Sequence, residues 1–107
     1  MIPKLTDVLS DETKWTQGVL SRNNEGFDVT PHADDACRWC VIGAALRVSG
    51  DSQLTYLRVF NALQKVVISY YGGSSVPDFN DAPGRTFAEV YAVAKRADEI
   101  LAQGATP

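Results

Sequence analysis

Between Pro31 and Val48 the chain reads Pro-His-Ala-Asp-Asp-Ala-Cys-Arg-Trp-Cys-Val-Ile-Gly-Ala-Ala-Leu-Arg-Val, and no other stretch constrains the fold so strongly. Cys37, Cys40 with Val41, Ala44 and Val48 fall at helical spacing on one face, with Trp39, Ile42 and Leu46 beside them. Thr30 is a favoured N-cap, Pro31 suits the first helical position, and Gly50 is placed to end a helix in a left-handed conformation. The pattern predicts one helix over 31–48, apolar around most of its circumference. Such a helix must lie in the middle of the molecule. Gly43-Ala44-Ala45 would let a neighbour approach it closely.

The other elements are predicted around that rod. Residues 3–12 read as a short first helix, with Pro3 in its first turn and Leu5, Val8 and Leu9 on one side. The runs 15–21 and 27–30 are β-prone and flank Asn23-Asn24-Glu25-Gly26, which reads as a hairpin turn. Tyr56, Phe60, Leu63, Val67 and Tyr70 predict a helix over 53–71, capped by Asp51 or Ser52 and stopped by Gly72-Gly73. Residues 72–85 carry no clear period. Thr86-Phe87-Ala88-Glu89 is a capping box that opens a last helix, ended by Gly104. The expected fold is mostly α (α+β): four helices, with a small N-terminal β-hairpin between the first helix and a central buried helix. One domain spanning 1–107 is expected from the length.

Charge and cysteine usage narrow the function. The 107 residues carry a net charge of −3, and the ten basic side chains are spread out, with only Lys95 and Arg96 adjacent. Nucleic-acid binding needs a clustered basic face, so none is expected. The longest apolar runs are a few residues, too short for a membrane span, and no secretory signal is visible behind Met1. Two cysteines at close spacing do not make an extracellular disulfide framework. The expectation is a cytoplasmic protein with reduced thiols.

Several motifs stand out: Trp15-Thr16-Gln17-Gly18, then an Asn/Gly turn, Cys37-Arg38-Trp39-Cys40-Val41-Ile42-Gly43-Ala44, Phe79-Asn80-Asp81, and Thr86-Phe87-Ala88-Glu89-Val90. In this combination the chain resembles a family of small uncharacterised bacterial and phage proteins, over about residues 5–103. That family's pattern has an aromatic-Thr/Cys-Gln-Gly start, a Cys-x-x-Gly-Ala core helix and an aromatic-Asn-Asp loop. Most members carry Trp before Asn-Asp where this chain has Phe79. The resemblance implies a cytoplasmic or phage origin and assigns no activity and no catalytic residue.

The chemistry-bearing residues give few catalytic constellations. Inside a helix begun at Pro31, Cys37 lies two turns from the helix start, outside the field that lowers a thiol pKa, so Cys37 and Cys40 read as small buried core residues. His32 and Cys40 would be separated by about 12 Å along such a helix, so a shared zinc would need His32 to fold back from a non-helical lead-in, and a His32–Cys40 pair fails inside one helix. No metal and no cofactor is expected. The 72–85 segment holds the candidate site. Asn80, Asp81, Arg85 and Thr86 precede a helix N-terminus, which with Arg85 could hold a small anion or a partner's carboxylate. Phe79 and Trp15 are the candidate aromatic contacts. The expected role is a binding or regulatory protein without chemistry of its own, meeting a protein partner or a second copy. The alternative is a small hydrolase or transferase with Asp81 as general base and Asn80 and Arg85 orienting substrate. The two part on whether these side chains converge on a concave pocket or Asp81 merely caps backbone amides.

Overall fold

The computed structural model describes residues 3–104 and has five α-helices and a two-stranded antiparallel sheet. In chain order these are α1 (Leu5–Val8), a 3-10 turn (Glu12–Lys14), β1 (Ser21–Asn23), β2 (Ala36–Trp39), α2 (Val41–Ser49), α3 (Gln53–Tyr71), α4 (Val76–Asp81) and α5 (Phe87–Gly104). The mostly α, α+β class is therefore the one read from the sequence.

The predicted rod over 31–48 is not one helix. Its first half is a turn and a strand, and the helix begins only at Val41. The reason is where the carbonyls go. Pro31 O accepts from Trp39 Nε1 at 3.1 Å and from Arg47 at 3.0 Å, and Ala33 O accepts from Arg47 at 3.2 Å. Side chains therefore take acceptors that a helix would give to backbone amides four residues on. Residues 36–39 instead pair with β1 in the register Ser21↔Trp39, Arg22↔Arg38 and Asn23↔Ala36, with a bulge between Arg22 and Asn23. Cys40 ends the strand and serves as N-cap of α2, its Sγ accepting from Gly43 N–H at 3.2 Å.

The hairpin expectation is corrected in the same place. The turn at Asn23–Gly26 forms, with Asn23 Oδ1 accepting from the amides of Glu25 and Phe27. The 27–30 run, however, makes only an Arg22↔Asp28 bridge, and of 15–21 only Ser21 lies in β1, Trp15 adding one isolated parallel bridge to Trp39. The regular partner of β1 lies further along the chain, at 36–39. The segment without clear period also holds a helix, α4, whose N-cap Ser75 accepts from Asp78 N–H at 3.2 Å.

One apolar cluster joins these elements, with Val41, Ala44 and Ala45 of α2, Val59, Leu63 and Val67 of α3, Val76 and Phe79 of α4, and Val90, Val93, Ala94 and Ala97 of α5. Leu5 and Leu9 close one end of it. A four-residue helix such as α1 has no stability of its own. It is held by Asp98 of α5, whose carboxylate accepts from the amides of Leu5 (2.8 Å) and Thr6 (3.1 Å) and from the Thr6 hydroxyl.

Candidate functional site

Three of the sequence motifs, Trp15–Gly18, Cys37–Ala44 and Phe79–Asp81, meet at one point on the surface of this core. α4 turns Val76 and Phe79 fully inward and leaves Asn80 only 1% exposed. A buried amide must find partners for both ends. Asn80 Oδ1 accepts from Trp15 Nε1 at 2.9 Å and from Val41 N–H at 3.0 Å. Asn80 Nδ2 donates to Thr16 O at 3.2 Å and to Asp81 Oδ1 at 2.9 Å. Gln17 Nε2 donates to Asn80 O (2.8 Å) and Ala82 O (3.3 Å), and Gly18 N–H donates to Asp81 Oδ1 at 3.0 Å. The Trp15–Gly18 motif is thus clasped to the Asn80-Asp81 motif, and Asn80 also seats the first turn of α2.

The third motif joins through Leu20. Leu20 O accepts from Cys40 N–H at 3.1 Å. It also lies where a side chain at Gly43 would be: a Cβ there would come within 1.9 Å of that oxygen. The close approach expected of Gly43 is to this carbonyl.

What the clasp leaves between residues 18–20, α2 and α4 is a shallow cleft of about 230 Å³. Val19, Leu20, Ile42 and Pro77 give it mostly apolar walls, the buried Cys40 and Asn80 lie at its base, and Gly18 and Asp81 complete the lining. Leu20 is 41% exposed there. Asp81 is exposed, and its Oδ2 takes no hydrogen bond from the described residues.

The cleft's chemistry is limited. Burial pushes the Cys40 thiol up from its ordinary value, outweighing the Gly43 and Ile42 amides that would lower it. Cys40 is therefore a neutral thiol despite its place at a helix N-terminus. Cys37 is half-buried on β2, not on a helix face, and both cysteines are free. His32 is exposed on the turn before β2 and does not line the cleft.

Of the six candidate residues, Trp15, Asn80 and Asp81 come together and Arg85 and Thr86 stay apart from them. Arg85 Nε donates to Phe79 O at 2.7 Å, and its guanidinium sits 4.2 Å from the Phe79 ring and 4.7 Å from the Tyr71 ring. It also pairs with Glu89 at 3.3 Å. Its charge and faces are occupied inside the fold, so the expected anion site beside it is already filled by the chain itself. Thr86 and Glu89 form the capping box read from the sequence, Thr86 N–H donating to Glu89 Oε1 at 2.9 Å and Glu89 N–H to Thr86 Oγ1 at 3.2 Å. Phe79 is fully buried against Tyr71, with ring centroids 4.8 Å apart. Trp15 packs on Phe87 at 6.4 Å. The Phe79 ring is therefore enclosed by the fold, whereas Trp15 is half-buried.

Sequence reasoning did not find Gln17, Leu20, Ile42, Cys40 or Pro77 as neighbours of Asp81. The one available signal was Gly43, whose missing side chain marks a close contact without naming its partner.

No curated protein and no solved structure matches the chain. A family model does match, over residues 4–99, and by it the chain belongs to a family of unknown function (DUF6197).

Proposed function

We propose that this chain is a small cytoplasmic binding module of bacterial or phage origin that receives an apolar side chain of a partner protein in the cleft between residues 18–20 and α4. The observation that carries this reading is how the polar groups are used. Asn80 makes four side-chain hydrogen bonds within the fold, and Asp81 Oδ1 accepts from Gly18 and Asn80. Arg85 is committed to Phe79, Tyr71 and Glu89. A general base needs a substrate proton within reach and a group to orient the substrate. Here the expected orienting groups are structural, and the surface beside them is apolar. Such a surface, rimmed by one carboxylate oxygen, fits a leucine- or methionine-like side chain with a basic neighbour on the partner. The two free thiols agree with a reducing compartment.

The test is affinity capture from source-cell extract with the wild-type chain and with Leu20→Glu, a change at an exposed position that leaves the clasp intact. A specific partner retained by the wild type and lost by Leu20→Glu, with unchanged circular dichroism, supports the reading. Turnover of ester or phosphate substrates that disappears in Asp81→Asn would overturn it in favour of the hydrolase alternative.

A further inference from the structure

A second surface, on α3, lies apart from the cleft residues. Leu54, Leu57, Asn61 and Ile68 follow one another at intervals of three, four and seven residues, the spacing of a helix–helix seam. All four are exposed, the three apolar ones at 62%, 47% and 54%. The stripe is about 21 Å long, four turns of helix. Arg58 and Lys65 flank it on one side, and α3 contains no acidic residue, in a chain whose net charge is −3.

Arg58 is singular among the six arginines. Arg22, Arg38, Arg47, Arg85 and Arg96 each donate to an acceptor of the chain itself. Arg58 and Lys65 have no such partner among the described residues. We propose that this face of α3 docks an acidic amphipathic helix of a partner protein, its apolar side chains meeting Leu54, Leu57 and Ile68 and its carboxylates meeting Arg58 and Lys65. A second α3 is the poorer occupant. It brings no carboxylate in either orientation, and an antiparallel pair centred on Asn61 sets Lys65 of one helix beside Arg58 of the other, a like-charge contact.

The probe is a labelled three-heptad peptide with leucine at its seam positions and glutamate flanking them, read by fluorescence anisotropy beside its lysine-flanked twin. The full-length chain should bind the glutamate peptide at least about tenfold more tightly than the lysine peptide, and more weakly as salt rises. The double variant Arg58→Glu/Lys65→Glu, both changes on exposed positions, should reverse that preference with its melting temperature unchanged. Leu20→Glu should bind the peptide as the wild type does, which separates this surface from the cleft. Equal binding of the two peptides, or no binding of the glutamate peptide up to about 1 mM, overturns the proposal. So does a concentration-dependent dimer in sedimentation equilibrium that Leu57→Lys abolishes, which would assign the face to a second copy.

Discussion

Asn80 does the work of several residues because its amide carries an acceptor and a donor at one end of a short side chain. Replacing it with alanine leaves Trp15 Nε1 and Val41 N–H without their acceptor. Each buried donor stranded in this way costs about 1–3 kcal/mol. Urea unfolding of Asn80→Ala should show a loss of about 3 kcal/mol. Asp81→Asn keeps an oxygen for Gly18 N–H at an exposed position, so its loss should stay below about 1 kcal/mol. A loss that small in Asn80→Ala would refute the role of Asn80 as the joint between the motifs. The cysteines give a second residue-scale test. Thiolate, not thiol, is the nucleophile, and burial holds Cys40 in the neutral form while Cys37 is half-buried. In the native protein a thiol reagent should label Cys37 at least about tenfold faster than Cys40. Tryptic cleavage after Arg38 places the two on different peptides for mass spectrometry. The sequence made Asn80, Asp81 and Trp15 visible as residues worth naming. It did not show that Trp15 and Asn80, 65 positions apart, are each other's partners, because spacing rules report only neighbours within a turn or a strand.

At the scale of elements, α3 and α5 were legible from their apolar stripes and caps, since a long amphipathic run decides its own structure. Residues 31–48 were not. Thr30-Pro31 carries a helix-start signal, and the small apolar residues that follow fit a helical period by coincidence. What overrides them is tertiary: Arg47 and Trp39 claim the carbonyls of Pro31 and Ala33, and β1 claims the backbone of 36–39. α4 was missed for the converse reason. Six residues give too little period to detect, and the helix exists because Val76, Phe79 and Asn80 are buried. Gly43 shows how tightly α2 is fitted to the chain crossing it. In an ordinary helix interior, alanine in place of glycine gains about 1 kcal/mol. Here the added Cβ would meet the Leu20 carbonyl, which is backbone and itself bonded to Cys40 N–H. Overpacking of this kind costs about 1–3 kcal/mol, more than the helix gain can offset when the obstacle cannot rotate away. Gly43→Ala should therefore lower the thermal midpoint by about 10 °C and displace residues 18–20, whereas Gly73→Ala, with open space around it, should change it little.

For the whole molecule, the titrating groups predict a lopsided pH profile. On the acid side, Glu89 is held below its ordinary value of 4.5 chiefly by the Thr86 amide, and Asp11 below 3.8 chiefly by the Thr13 hydroxyl. A carboxylate whose folded pKa is depressed contributes stability above its unfolded pKa and loses it as pH falls through the folded value. Asp11 is exposed and the Glu89 side chain keeps 40% of its surface in solvent, so this limb is shallow and salt weakens it further. On the alkaline side, burial raises the Cys40 thiol above 9.0 and the Tyr56 phenol above 10.0. Groups kept neutral in the fold contribute fully below their unfolded pKa, and the contribution is lost as pH rises through the folded value. Cys40 is the more buried of the two, and desolvation is the chief cause of its shift, with the Asp81 carboxylate a lesser one, so its limb is the steeper and only weakly sensitive to salt. Urea midpoints measured across pH should be flat between about pH 5 and 8.5, fall gently below and fall sharply above. Cys40→Ala should lower the plateau, because it removes the N-cap of α2, and flatten the alkaline limb at the same time. Glu89→Gln should leave the alkaline limb as it was and remove part of the acid one. An alkaline limb unchanged in Cys40→Ala would mean that the thiol ionises without disturbing the joint between α2 and residues 18–20, and that the cleft opens more readily than its packing implies.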